Sequence, residues 1–255
     1  MSIYSSPTLR PEEEKRRPTP ILALDVQSSE DALALIRRVP RASFVKVGLQ
    51  LFTAAGPDVV RRLRDAGRRV FLDLKLHDIP NTVARAVESS AGLGVELLTL
   101  HASGGADMLN AARDAADGLG RDAPQLLAVT VLTSLSDSAV RQVSGRPDAS
   151  VTNEVVRLAR IAVASELDGV VASVKEIPDI RAIGDRGLLI LTPGIRLPGD
   201  RADDQSRVAT PEEAARLGAN YIVIGRSVTA AAHPEAAYEA VVTGLRLGIS
   251  EQAPA

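Results

Sequence analysis

The sequence predicts an α/β protein folded as one closed (β/α)8 TIM barrel, a single domain. Three observations carry that expectation. Eight short, nearly all-apolar runs recur along the chain, segments of helical periodicity separate them, and 255 residues is the usual length of one such barrel. Strands that are apolar on both faces belong in parallel sheets covered by helices, since neither face then meets water. An open doubly wound sheet is the alternative, but no G-x-G-x-x-G stretch follows the first run.

The elements follow in order. Residues 1–19 are rich in Pro and in both charges and read as a flexible N-terminal tail; residues 20–250 read as the barrel. Strands are expected at ILALDV (21–26), SFVKVG (43–48), RVFLDL (69–74), ELLTL (96–100), LLAVTV (126–131), DGVVAS (168–173), LLILTPG (188–194) and YIVIG (221–225). Helices are expected at 30–38, 57–66, 80–92, 106–118, 153–166, 175–183, 211–217 and 235–247. Pro57, Pro80 and Pro211 suit first turns, where an amide N–H would lack a helical partner, and Thr210 suits an N-cap. Gly67, Gly92 and Gly218 suit helix ends.

Composition narrows the function. Only 2% of residues are aromatic, so the core is aliphatic and a base-stacking platform for nucleic acid is not expected. A formal net charge of −2 gives no global attraction to nucleic acid or to an anionic membrane. The absence of Cys excludes disulfides, thiolate nucleophiles and Cys-ligated metals, and three widely spaced His make a His-ligated metal site unexpected. No run reaches the roughly 20 apolar residues of a membrane helix, and the N-terminal stretch lacks the apolar segment of a secretory signal. A cytoplasmic protein acting on a small molecule is the expectation.

In a barrel of this type the active site lies at the C-terminal ends of the strands. Charged residues gather there. Asp25 closes the first strand, Lys46 lies within the second, Asp73 and Lys75 end the third, and Asp78 follows in the loop. Asp73 and Lys75 are two apart and share a strand face, with Leu72, Leu74 and Leu76 on the other, and Lys46 can reach the same inner face. One Lys–Asp pair could be an ion pair that fixes strand register. Two Lys and two or three Asp at one barrel mouth point instead to proton transfer.

Across the mouth, strands seven and eight end in LTPGIR (191–196) and IVIGRSVT (222–229), where this fold commonly binds phosphate. Gly225 lets backbone approach an anion at a helix start, and Arg226 adds a charged donor. The long polar segment 196–210 reads as a lid, with a merely tolerated insertion as the alternative. Thr133 could hydrogen-bond a ring. Among the histidines, His101 could face the interior, His77 is expected to cap a turn, and His233 to be superficial.

The run LDLKLHDIPNTV (72–83) resembles the signature of the orotidine 5′-phosphate decarboxylase family in its bacterial form. The resemblance extends from Ile21 to about Tyr238, through ALDV, KVGLQLF, LHASGG (100–105), AVTVLTS (128–134), DGVVAS, LTPGIR, DDQSRVATPEEA (203–214) and YIVIGRSVT. It implies cofactor-free conversion of orotidine 5′-monophosphate to uridine 5′-monophosphate and CO2, with no metal, in pyrimidine nucleotide synthesis. Lys75 would deliver the proton, Asp73 would sit by the departing carboxylate and Lys46 would pair with it. Asp25 and Lys46 would bind ribose, Thr133 would meet the pyrimidine, and Arg196, Arg226 and Gly225 would hold phosphate, with Pro193 also lining the site. Gln205 would bridge phosphate and base from the lid. Asp78 and Thr82 would reach into the partner subunit's site, implying a homodimer.

Two other readings compete. Metal-dependent sugar-phosphate decarboxylases and hexulose-phosphate aldolases on a similar barrel share D-x-K-x-x-D, but IPNT and Gln205 favour the first family. A phosphate-binding barrel without catalysis is disfavoured by intact Asp73, Lys75 and Asp78. The chemistry agrees independently: without a cofactor to delocalise a carbanion, an ammonium beside the reacting carbon is the simplest stabiliser, and it can also protonate the product.

Overall fold

Each apolar run becomes a strand, and each strand pairs in parallel with the next in sequence: β1 (Thr19–Ala23), β2 (Phe44–Gly48), β3 (Arg69–Leu76), β4 (Leu97–His101), β5 (Gln125–Val129), β6 (Gly169–Val171), β7 (Leu189–Thr192) and β8 (Tyr221–Ile224). β8 closes on β1, with Ile21 opposite Val223, so the sheet is a closed barrel with no free edge. This is a computed structural model; it describes residues 9, 17–184, 187–198, 200 and 207–251.

Alternation along the strands builds two apolar layers. Inward positions Ile21, Phe44, Phe71, Leu97, Leu127, Val171, Leu191 and Val223 fill the barrel. Their neighbours Leu22, Val45, Leu72, Leu98, Leu126, Val170, Ile190 and Ile222 face the helices and join one larger core. Burying a side chain of this size contributes roughly 1.5–3 kcal/mol, so the two layers make the barrel the rigid frame on which the loops sit.

The helices are α1 (Ser29–Arg38), α2 (Leu49–Ala55), α3 (Asp58–Asp65), α4 (Pro80–Ala91), α5 (Ala106–Leu119), α6 (Asp137–Ser144), α7 (Val151–Ala164), α8 (Ile177–Arg181), α9 (Pro211–Leu217), α10 (Arg226–Thr229) and α11 (Pro234–Ser250). Their ends carry local signals. Thr210 and Glu213 cap α9 reciprocally: the Thr210 hydroxyl accepts from the Glu213 amide at 3.2 Å, and the Glu213 carboxylate accepts from the Thr210 amide at 2.9 Å. Gly218 then ends α9 at φ 89°, a conformation open to glycine.

Several boundaries differ from the sequence reading. β1 begins at Thr19, which belongs to the barrel rather than to the preceding segment, most of which lies outside the described residues, and it ends at Ala23, so Asp25 lies beyond the strand it was expected to close. β6 spans only Gly169–Val171, because Ser173 has left the sheet to cap the 3-10 turn Val174–Glu176. β3 runs on to Leu76 through an irregularity in its pairing with β4. Pro57 is the N-cap of α3 rather than part of its first turn, and Gly92 ends α4 with right-handed backbone. Among the described helices α2 and α6 had no counterpart in the sequence reading, and α10 was read only as a helix start at Gly225. Each is short and follows a strand or loop directly, so periodicity has too few turns to register.

Candidate active site

The C-terminal ends of the strands surround a cavity of about 650 Å3. Its wall includes Asp25, Lys46, Asp73, Lys75, Thr133, Pro193, Arg196, Gly225 and Arg226. These are residues that sequence reasoning singled out, and they follow strands distributed along the chain from β1 to β8. Asp78 and Thr82 are exposed beyond this wall, in the loop after β3 and the first turn of α4. Gln205 lies outside the described residues, as does 201–206, the middle of the expected lid.

Charge alternates across the β1–β3 side. The Lys46 ammonium is 3.1 Å from Asp25 Oδ1 and 3.6 Å from Asp73 Oδ2, and the Lys75 ammonium is 2.8 Å from Asp73 Oδ1. Strand register explains this. Lys46 pairs with Phe71 and Gly48 with Asp73, so successive inward positions of β2 and β3 interleave. Burial by itself would raise the Asp73 pKa. The two ammonium charges, with hydrogen bonds from Lys75 and Thr99, outweigh it and hold the carboxyl below its ordinary value.

Lys75 has φ 52°, a left-handed conformation uncommon for a residue with a side chain. It sits where β3 takes four steps from Leu72 to Leu76 while β4 takes two from Leu98 to Leu100. This bulge re-aims the strand end, as bulges near active sites do. Leu72, Leu74 and Leu76 still pack toward the helices, as their spacing implies.

Three features escaped the sequence reading. Thr99, fully buried on β4, donates its hydroxyl to Asp73 Oδ1 and accepts from the Lys75 amide, both at 2.9 Å. Gly48 makes room for the Lys46 head group: a Cβ there would lie 2.7 Å from Lys46 Nζ. A glycine two residues after a strand lysine was its only sequence signal. Gln50, in the first turn of α2, also lines the cavity.

On the β5–β8 side the loops are tied together. Arg207 forms a buried ion pair with Glu176 at 2.9 Å and donates to the Leu132 carbonyl at 2.9 Å, next to Thr133. Glu176 in turn accepts from the Ser173 amide at 3.0 Å. The two stems of segment 196–210 meet as well, with the Arg196 amide donating to the Ala209 carbonyl at 3.0 Å. Gly225 is the N-cap of α10, which places Arg226 at its first position.

The histidines divide. His101 ends β4, and its ring lies 5.5 Å from that of His77. Burial, then the neighbouring His77 and Lys75, lower the His101 pKa below the ordinary histidine value. His77 is exposed, its ring tilted by 43° against that of His101, and His233 is an exposed residue at the start of α11. Among the described residues, no three His, Asp or Glu gather as a ligand set for a metal ion, and no helix is long and apolar enough to cross a membrane.

Comparison with known proteins bears on the family and the fold. The profile of the orotidine 5′-phosphate decarboxylase / HUMPS family matches residues 18–241. The chain belongs to that family. Among similar proteins are the orotidine 5′-phosphate decarboxylases of Halalkalibacterium halodurans and Sodalis glossinidius. The first is 46% identical over 87% of this chain and 95% of that protein, the second 48% over 89% and 90%. A crystal structure of orotidine 5′-phosphate decarboxylase from Lactobacillus acidophilus superposes with a TM-score of 0.78 at 39% identity, covering 90% of this chain and 99% of that one. The family's barrel is the fold read from the strand runs.

Proposed function

We propose that this barrel mouth decarboxylates orotidine 5′-monophosphate, with Lys75 as the proton donor. The reaction yields uridine 5′-monophosphate and CO2, a step of pyrimidine nucleotide synthesis. The observation that carries the reading is the Lys46–Asp73–Lys75 alternation, a carboxylate held between two ammonium groups at 3.6 and 2.8 Å in a decarboxylase family.

Breaking the ring–carboxylate bond leaves its electron pair on the ring carbon as CO2 departs. The Lys75 ammonium stabilises that pair because its charge is already in place when the pair develops. A Lys75 N–H bond then breaks as the ring C–H bond forms, and the amine recovers a proton from water. Asp73 stays ionised throughout, keeping Lys75 oriented beside the departing carboxylate. Asp25 and Lys46 hold the ribose, Thr133 the pyrimidine, and Arg196, Arg226 and the Gly225 backbone the phosphate, with Pro193 lining the site and Gln205 bridging phosphate and base. Phosphate binding remote from the reacting carbon supplies energy to organise the site. The reading assigns no step to a metal or organic cofactor, and Asp73, already matched by two ammonium groups, is a poor cation ligand.

The working unit in this reading is a homodimer in which Asp78 and Thr82 complete the partner's site. Exposed Leu49, directly after β2, and exposed Ile79, next to Asp78 in the loop after β3, support it as apolar side chains left facing solvent.

The test follows the ultraviolet absorbance of orotidine 5′-monophosphate with purified protein in excess EDTA. Turnover is expected. No turnover, with Mg2+-dependent reaction of a sugar phosphate instead, would move the activity to the metal-dependent relatives. For the dimer, Lys75→Ala and Asp78→Ala proteins are each expected to be inactive. Random subunit exchange makes about half the dimers mixed, each with one intact site of two, so about a quarter of wild-type activity returns. No recovery despite proven exchange would place Asp78 in its own subunit's site.

A further inference from the structure

Beside the lysine and the carboxylate stands a residue that touches both. Thr99 occupies the middle inward position of β4, and its side chain is fully buried. Its hydroxyl lies 2.9 Å from the Lys75 amide nitrogen and 2.9 Å from Asp73 Oδ1, the same carboxylate oxygen that the Lys75 ammonium meets at 2.8 Å. The direction of this chain is fixed by chemistry. An amide can only donate and an ionised carboxylate can only accept, so the hydroxyl must accept from Lys75 and donate to Asp73.

The backbone shows why such a residue is needed. In the bulge between Leu72 and Leu76, β3 and β4 fall out of register, and the Lys75 amide loses the carbonyl a regular ladder would offer. The Thr99 hydroxyl takes that carbonyl's place. It therefore holds the left-handed conformation of Lys75, φ 52°, which the residue would otherwise leave. A single hydroxyl thus fixes both where the Lys75 side chain departs and where the carboxylate it meets is aimed. Consecutive hydrogen bonds of this kind polarise and strengthen one another in a low-dielectric interior.

We infer that Thr99 is a positioning residue for the decarboxylation: by bridging the Lys75 amide and the Asp73 carboxylate, it sets the ammonium against the reacting carbon. The inference rests on the assignment of Lys75 and Asp73 above and adds a group that need not touch substrate.

The experiment compares Thr99→Val, which keeps the shape and removes the hydroxyl, with Thr99→Ser, which keeps the hydroxyl. Thr99→Ala is a second removal should the valine protein not fold. The hydroxyl-less protein is expected to lose about 10²-fold or more in kcat, the scale set by misplacing a catalytic group by about 1 Å. Its affinity for uridine 5′-monophosphate stays within about threefold, and Thr99→Ser keeps kcat within about tenfold of wild type, recovering most of the loss. Crystal structures of the variants give a readout independent of turnover. The 2.8 Å Lys75–Asp73 contact is expected to persist in Thr99→Ser and to be lost or rearranged without the hydroxyl. Near-native kcat in Thr99→Val, an equal loss in Thr99→Ser, or a parallel fall in nucleotide affinity would each overturn the inference. Inactive wild-type protein would instead count against the decarboxylase reading, while the crystal structures would still decide whether Thr99 holds Lys75.

Discussion

Along β2 and β3 the inward positions run Phe44, Lys46, Gly48 and Phe71, Asp73, Lys75. The first residue of each series packs in the apolar plug of the barrel, and the later ones are charged or make room for charge. One alternating pattern thus builds a dry floor and an ionic mouth two residues apart. The floor is close-packed: Phe44 meets Tyr221 edge-on with centroids 6.1 Å apart, and the Arg69 guanidinium lies 4.3 Å from the Phe44 ring centroid. The mouth is open and matched by charge. The comparison teaches that stability and chemistry are divided by depth along the same strands, so substitutions at the two depths should fail differently.

The largest difference is expected from Lys75→Ala. Decarboxylation should fall by about 10⁴-fold or more, combining lost proton transfer with lost charge stabilisation. Stability to urea should change by no more than about 1 kcal/mol, as for a partly exposed site. Retained turnover would mean that the ionic mouth does not hold the proton donor.

Phe44→Ala is the counterpart on the floor. It should cost about 3–5 kcal/mol in denaturant unfolding, while kcat of the folded protein stays within about threefold. A large loss of kcat at full stability would erase the division by depth.

Arg207→Met sharpens the comparison within the mouth, since not every buried charge there is placed for chemistry. Leaving Glu176 buried without its partner should cost about 3 kcal/mol. The Glu176→Gln/Arg207→Met double variant should recover part of that, measured as a positive coupling in a double-mutant cycle. Strict additivity would show the pair to be energetically idle.

The smallest effect concerns pH. The Asp73 carboxyl has a lowered folded pKa, so the unfolded chain takes up its proton first, near the ordinary carboxylate value of about 3.9. Its contribution is therefore complete above that pH and is lost as pH falls through the lower folded value. Urea unfolding between about pH 5 and 2 should show a steeper acid loss of stability for wild type than for Asp73→Asn. Equal slopes would mean that the carboxylate is not held ionised by its lysines.

Much of this was legible from residue order. The eight apolar runs announced eight strands, since period and length are local properties. Asp73, Lys75 and Lys46 could be placed on one inner face from the two-residue period, Asp25 beside them at the end of the first run, and PGIR and IGRS at the same mouth because they end the seventh and eighth runs. Thr99 could not be singled out. Its partners are 24 and 26 residues away, and LLTLH reads as an ordinary buried strand. The Arg207–Glu176 pair was equally hidden, because Glu176 looks like a helix-start residue and Arg207 like part of a polar loop.

The sequence alone determined the barrel, the charged strand ends and the family, because apolar period, motif spacing and residue chemistry are written in consecutive residues. The tertiary structure alone decided the bulge that turns Lys75 left-handed, the hydroxyl that receives its amide and the gap at Gly48 that admits Lys46. Those depend on the register between neighbouring strands, and register is set only when the whole barrel closes and every inward side chain must share one interior.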